Sequence, residues 1–255
     1  MGVNADGLPT SGRIGEFPYA PGLTPLPRPA LHIALWWCDL DEWLATEIQR
    51  CAEWLAPAER ARADRFGTNL LRDRYVAGRA TLRLLLGHAL GVAPADVPLQ
   101  RGRRGRPKIA GDNAIDFNVS HTQGVALIGI VRNTDKCLRI GVDVERTDRN
   151  VGADRLAPKF LTPDEARWQS AFSPEERRQR FLRYWTCKEA MSKATGDGLI
   201  APFRQVGVGL ADPPRLIAGP PPYVPEAWQL HAVRVPNGYF AALAVWTPLN
   251  VSNSG

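Results

Sequence analysis

Laid on itself at an offset of 106 positions, the chain repeats its own pattern without a gap. Leu55 meets Leu161, Pro57 meets Pro163, Glu59 meets Glu165, Phe66 meets Phe172, Arg72 meets Arg178, Arg74 meets Arg180, and Tyr75 meets Phe181. Proline and glutamate are common wherever a helix starts, so part of this agreement is generic. The same offset also lays the strand-like ALWWCDL on IGVDVER, which points to an internal duplication. A chain of 255 residues suits one large domain or two small ones. The duplication favours an α+β fold of two similar halves, each a strand, two helices and returning strands. The halves are expected to be related by a pseudo-twofold and to face one another across a cleft. The boundaries read as an arm over 1–30, an N-terminal half over 31–138, a C-terminal half over 139–249 and a tail over 250–255.

Composition bounds what such halves can be. With 44% hydrophobic and 23% charged residues the chain is globular and neither disordered overall nor collagenous. No apolar run approaches the ~20 residues of a membrane span, and the N-terminus lacks the basic start and apolar core of a secretory signal. The expected location is the cytoplasm. Cys38, Cys51, Cys137 and Cys187 form no CxxC pair and read as buried, reduced, small hydrophobes. A net charge of +6 points to an acidic partner or substrate without choosing among nucleic acid, membrane, nucleotide and acidic protein.

Residues 1–30 hold five Gly and six Pro, the composition of an arm over the surface or a disordered segment. LHIALWWCDL suits a buried strand, and Pro57 with Glu59 opens a short arginine-rich helix. Leu71, Tyr75, Leu82, Leu85 and Leu86 recur at helical spacing over about 69–90 before Gly91 stops the helix. Strands are expected at the segment ending FNVSH, at VALIGIV and at LRIGVDVE, with a turn at 133–136. Thr162-Pro-Asp-Glu and Ser173-Pro-Glu-Glu are capping boxes with proline at the first helical position, and the second helix runs through FLRYWTCKEAMSKAT to Gly196. Pro213 to Pro225 reads as a loop. WQLHAVRV and YFAALAVW, around Pro236-Asn237-Gly238, read as a terminal hairpin.

Three places carry candidate chemistry. In Ile140-Gly-Val-Asp-Val-Glu145, strand alternation puts Asp143 and Glu145 on one face. Such a pair is either a solvated acidic face or a site for a hard cation such as Mg²⁺, which takes carboxylate, phosphate and water oxygens. Trp185, Glu189 and Lys193 follow at i, i+4 intervals on one helix stripe. Facing the acidic strand, that stripe would add a third carboxylate and a phosphate-binding cation, a phosphoryl-transfer arrangement. Ser120 and His121 end a strand and offer donors to a phosphate. Arg101 to Lys108 packs five cations into eight residues on a loop where glycine admits a ligand to the backbone, or else forms a solvated or nucleic-acid-binding loop.

Gly105-Arg106-Pro107, FNVSH at 117–121, GVDVE at 141–145 and WTCKEAMSKATGDGL at 185–199 together resemble the 4′-phosphopantetheinyl transferases, in the larger, monomeric, surfactin-type branch. The resemblance implies a transferase that moves phosphopantetheine from coenzyme A to a serine of an acyl or peptidyl carrier protein. It implies Mg²⁺ held by Asp143, Glu145 and Glu189, with Glu189 taking the serine proton and Lys193 holding the pyrophosphate. Arg62, Arg74, Ser120 and His121 would stand near the phosphates, and Gly105, Arg106 and Pro107 would border the adenine. The family often has lysine at the place of Arg106 and a basic residue at the place of Glu59. Implied partners are coenzyme A and an acidic carrier protein, with no nucleic acid and no membrane. The rival reading is a basic nucleic-acid-binding module whose arginines track phosphates.

Overall fold

The computed structural model describes residues 20, 22–29, 32–42, 48–111, 114–132 and 138–249. The expected turn at 133–136 and Cys137 lie outside them. In the first part, strands β1 (Leu23–Leu26) and β2 (Ile33–Asp39) precede helices α1 (Ile48–Glu53), α2 (Pro57–Ala63) and α3 (Asn69–Leu90). Strands β3 (Leu99–Arg101), β4 (Pro107–Ile109), β5 (Ile115–Thr122) and β6 (Val125–Arg132) follow. The second part runs β7 (Arg139–Arg146), α4 (Ala153–Phe160), α5 (Pro163–Ser170), α6 (Pro174–Thr195), β8 (Gly207–Gly209), β9 (Arg215–Ala218), β10 (Trp228–Ala232) and β11 (Tyr239–Trp246). The order of elements therefore repeats. So does the pairing: one antiparallel sheet is ordered β1-β2-β6-β5 and the other β10-β11-β7.

Local chemistry sets the long helices. Thr68 accepts the Leu71 N–H at the start of α3, and Gly91 closes it in the left-handed region at φ 74°, where glycine carries no Cβ penalty. Leu82, Leu85, Leu86 and Ala89 turn one face of α3 onto Trp36, Phe117 and Ile130, the 3.6-residue periodicity at work. Leu71, expected on that face, is about half exposed. Ser173 and Glu176 form the capping box of α6, with Pro174 in its first turn.

Two expectations change. Leu23–Leu26 is not part of a loose arm; it pairs with β2, Pro25 standing opposite Trp36. An edge strand has no second neighbour, so the missing proline N–H is tolerated there. Within the stretch expected to be a loop, Arg215–Ala218 is a strand paired with Gly207–Gly209. Its short run of apolar residues, flanked by prolines, carried too little pattern to be seen.

The two sheets meet edge to edge through side chains. Asp116, Asn118 and Ser120, alternate residues of β5, accept the β7 backbone N–H groups of Ile140, Val142 and Val144 at 2.9, 3.1 and 3.3 Å. One apolar core continues across this joint, with Leu35, Leu127, Val142, Val144 and Leu243 all buried in it. Cys38, Cys51 and Cys187 are buried thiols outside any disulfide, as expected, and burial pushes the Cys38 and Cys187 thiols up to about 12. No helix among the described residues is long and apolar enough to cross a membrane.

Candidate active site

The site is assembled where α6 lies on β7. Gly141 permits that approach: a Cβ there would stand 1.9 Å from the carbonyl oxygen of Ala190 and 2.6 Å from the Ala194 nitrogen. With the helix seated, Trp185 Nε1 donates to Glu145 at 3.0 Å and Lys193 Nζ donates to Asp143 at 2.6 Å. The Trp185–Glu189–Lys193 stripe thus faces the acidic strand. Phe160, Phe181 and Phe203 surround the indole, with centroids 4.7–6.3 Å away, and hold its N–H toward Glu145.

Every polar partner in this cluster is specific. Asp143 is 4% exposed; its Oδ1 accepts from Lys193 and, at 2.8 Å, from the Ser120 hydroxyl. Lys193 also donates to Ser120 Oγ at 2.9 Å. Glu145 is buried and ion-paired with Arg149. Two carboxylate oxygens, Asp143 Oδ2 and Glu189 Oε1, are buried with no hydrogen-bond partner among the described residues. An unpartnered buried acceptor is costly, and two of them on neighbouring acids call for a proton or a cation.

The electrostatics agree. Burial, then the negative charges of Asp143 and Glu145, push the Glu189 carboxyl up to about 7, against the pull of Lys193 and Arg149. Burial and then Asp143 also raise Glu145, with Arg149, Trp185 and Lys193 opposing. Like charges in a poorly solvated pocket disfavour ionisation. Among the described residues, no three His, Cys, Asp or Glu side chains already stand as a set that could hold a metal. Asp143 is drawn to Lys193, and Glu145 to Arg149. The donor set still suits a hard cation, since it is all carboxylate oxygen with two of those oxygens unpartnered.

The phosphate-side candidates gather at the same end of β5. His121 shows a solvent-exposed edge, yet close packing about the ring, then the charges of Lys193 and Arg62, push its imidazole below the ordinary value, with Asp143 opposing. Arg62 lies over the Tyr75 ring and, with Ala58, Arg65, Phe66 and Arg101, lines a basic cavity of about 380 Å³. Arg74 makes a two-pronged pair with Asp41 at 2.7 and 2.6 Å. That pair lies against the β5–β6 turn, where a Cβ on Gly124 would meet Asp41 Oδ2 at 2.8 Å.

In the Gly105-Arg106-Pro107 segment, Gly105 has φ 81° and the Arg106 guanidinium is turned inward onto Asp116, Lys193 and Ile140. Glu59, the departure from the family pattern, is a buried structural anion that accepts from Ala56 N–H, Arg79 and Arg83. The polar alternation Asp116, Asn118, Ser120 escaped the sequence reading. Three polar side chains at i, i+2, i+4 on an otherwise apolar strand were the available signal.

A family model described as the 4′-phosphopantetheinyl transferase superfamily matches residues 139–244, and one described as 4′-phosphopantetheinyl transferase, N-terminal, matches residues 41–130. The chain belongs to the 4′-phosphopantetheinyl transferase superfamily. It is 35% identical over 241 residues to the 4′-phosphopantetheinyl transferase HetI of Nostoc sp., covering 91% of this chain and 95% of that one. It is 27% identical over 168 residues to the 4′-phosphopantetheinyl transferase of Bacillus subtilis, covering 66% and 72% of the two chains. A phosphopantetheinyl transferase of Thraustochytrium sp. is 32% identical over 161 residues, covering 57% and 54%. As a member, this chain is a phosphopantetheinyl transferase enzyme. The nucleic-acid-binding alternative has no support: Arg104 and Arg106 of the basic loop are engaged with Asp197 and Asp116.

Proposed function

We infer that the chain transfers the phosphopantetheine group of coenzyme A to a serine of an apo carrier protein and releases adenosine 3′,5′-bisphosphate. The observation that carries the site assignment is the pair of unpartnered, buried carboxylate oxygens on Asp143 and Glu189, beside a lysine already in contact with Asp143. Asp143, Glu145 and Glu189 would hold Mg²⁺, which supplies neutralisation of pyrophosphate charge when bound. Glu189 accepts the proton of the carrier serine, the role suited to a carboxyl raised toward neutrality. The serine Oγ forms its bond to the β-phosphorus as the bond to the bridging oxygen breaks. That oxygen leaves on the adenosine bisphosphate, with its charge offset by Lys193. Ser120 fixes both Lys193 and Asp143. His121, Arg62 and Arg74 stand near the phosphates, and Gly105 to Pro107 border the adenine.

The repeated element order and repeated strand pairing support a pseudo-twofold between an N-terminal half, 31–138, and a C-terminal half, 139–249, with coenzyme A in a cleft between them. On this reading the protein works as a cytoplasmic monomer with one site per chain. Its positive charge suits an acidic carrier, so the KM for carrier should rise with salt more steeply than that for coenzyme A. Incubating the protein with coenzyme A, Mg²⁺ and an apo-carrier, then weighing the carrier, tests the function. A carrier without the phosphopantetheine mass increment would overturn it.

A further inference from the structure

A single guanidinium ties together the three elements that carry the proposed site. Arg106 Nε donates to the Lys193 carbonyl at 2.9 Å, Nη1 and Nη2 each donate to an Asp116 carboxylate oxygen at 2.8 Å, and Nη2 also reaches the carbonyls of Ile140 at 2.9 Å and Phe117 at 3.3 Å. Lys193 is on α6, Ile140 is on β7 three residues before Asp143, and Asp116 and Phe117 are on β5 upstream of Ser120 and His121. Asp116 closes the knot by accepting the Ile140 N–H at 2.9 Å. Both side chains are largely buried, 11% and 19% exposed. A neighbouring loop residue adds a second tie, because Arg104 is ion-paired with Asp197 just beyond the end of α6.

We propose that Arg106 and Asp116 are a positioning pair: they set the C-terminal turn of α6 against β7 and β5, and so fix where Lys193 and Glu189 stand relative to Asp143. The inference rests on the transferase reading above. It gives the Arg106 side chain a task other than contact with the nucleotide. A guanidinium can do this because its donors lie in one plane and point in several directions at once. Lysine has one compact charge with three donors and cannot reproduce a two-pronged carboxylate contact together with bonds to three carbonyls. A misplacement of the reacting groups by about 1 Å costs up to about 100-fold in rate.

The test compares Arg106→Lys, Asp116→Asn and the double variant in steady-state transfer to an apo-carrier with Mg²⁺ and varied coenzyme A. The expected result is a fall in kcat of about 10- to 100-fold in each single variant, with the KM for coenzyme A within about twofold of the parent. The double variant should be no worse than the poorer single, since both break one unit. A KM for coenzyme A raised in Arg106→Lys alone, with kcat intact and Asp116→Asn unaffected, would make Arg106 a nucleotide contact and overturn the proposal. A kcat loss that merely follows the melting temperature across the variants would overturn it too, leaving only a fold staple. Failure of the unsubstituted protein to load the carrier would be a different result, striking the transferase reading itself.

Discussion

Helices α3 and α6 are each 22 residues long, and each follows a short helix whose glutamate caps its own start. Glu59 accepts the Ala56 N–H, and its counterpart at the 106 offset, Glu165, accepts the Thr162 N–H. Each glutamate also holds a buried cation of its long helix, Glu59 with Arg83 and Glu165 with Lys188. The halves part company at one position. Arg83 falls on Glu189 at the same offset, and in the first half it is held by protein partners, bonded to Glu59 and to the carbonyls of Pro94, Ala95 and Val97. In the second half that place holds a carboxyl with an unpartnered oxygen. Trp37, which the offset lays on Asp143, faces the core between the sheets and packs edge-on against Tyr239, so the 106 register that fits the helices does not carry into the strand, where a slip of one residue exchanges the two faces. The cation in one place is closed in by protein partners, and the acid in the other keeps a buried oxygen without one.

The largest expected effect comes from the acids with unpartnered oxygens. Glu189→Gln or Asp143→Ala should lower transfer by on the order of 10²–10³-fold or more, the scale of losing one group that acts on transition-state charge. The melting temperature should hold or rise in Glu189→Gln, which removes a buried acid with an unpartnered oxygen, and should fall in Asp143→Ala, which takes the acceptor from Lys193 and Ser120. Carrier mass shift and a thermal melt on the same sample decide it. Near-normal turnover would mean that these acids are not the working ones.

The mirror experiment attacks the closed-in cation. Glu59→Gln leaves Arg83 and Arg79 without their countercharge, a loss of about 3–5 kcal/mol for a buried pair, while kcat per folded molecule stays near the parent value. The pH dependence carries a sign. Burial raises the Glu59 carboxyl, but the Arg79 charge and the bonds from Ala56, Arg79 and Arg83 outweigh it and hold it below the ordinary 4.5. Its contribution is therefore present above about pH 4.5 and is lost as pH falls through the lowered folded value. Denaturant midpoints of parent and variant should converge on acidification. Parallel curves from pH 7 down to 3 would remove the ion pair from the account of stability.

Much of this comparison was legible in the residues. The offset match located α2, α3, α5 and α6, because capping boxes and glycine stops are local chemistry that declares itself in a few positions. The acidic strand and the Trp185–Glu189–Lys193 stripe were readable as faces of elements. That the two faces meet was not, since it depends on Gly141, whose role lies in a backbone approach between residues about 50 apart. The Asp116–Asn118–Ser120 ladder was hidden for a related reason: its partners are backbone N–H groups, which leave no mark on the partner's sequence. Glu59 shows what a pattern leaves out: it stands where the family often has a basic residue, and its buried partners make it a structural anion.

Gly141 gives the next test. In the first half the β2 residues that face α3 are Ala34, Trp36 and Cys38, side chains that stand between strand and helix where Gly141 leaves none. Gly141→Ala places a methyl carbon 1.9 Å from the Ala190 carbonyl oxygen, which forces α6 outward. Overpacking costs about 1–3 kcal/mol, occasionally more, and here the displacement also carries Glu189 and Lys193 away from Asp143. Activity should fall further than stability explains. A variant with lowered melting temperature and unchanged kcat would show that the site tolerates helix movement.

The smallest effects separate two arginines that the 106 offset pairs. Arg180 lies over the Phe172 ring at 4.3 Å, and Arg74, its counterpart, pairs with Asp41 against the β5–β6 turn. Neither contact is worth much: a half-buried cation–π pair contributes about 0.5–2 kcal/mol, and a surface ion pair about 0.2–1 kcal/mol. Arg180→Leu and Arg74→Leu should therefore shift stability by similar, small amounts. They should differ in kinetics, because only Arg74 stands at the end of β5 that holds His121. Losing one charged contact to a phosphate, about 1.5 kcal/mol, corresponds to roughly a tenfold rise in the KM for coenzyme A, with kcat little changed; Arg180→Leu should leave both constants alone. Equal silence from the two variants would make Arg74 a partner of Asp41 and nothing more, and the phosphate contacts would then rest on His121 and the Arg62 cavity.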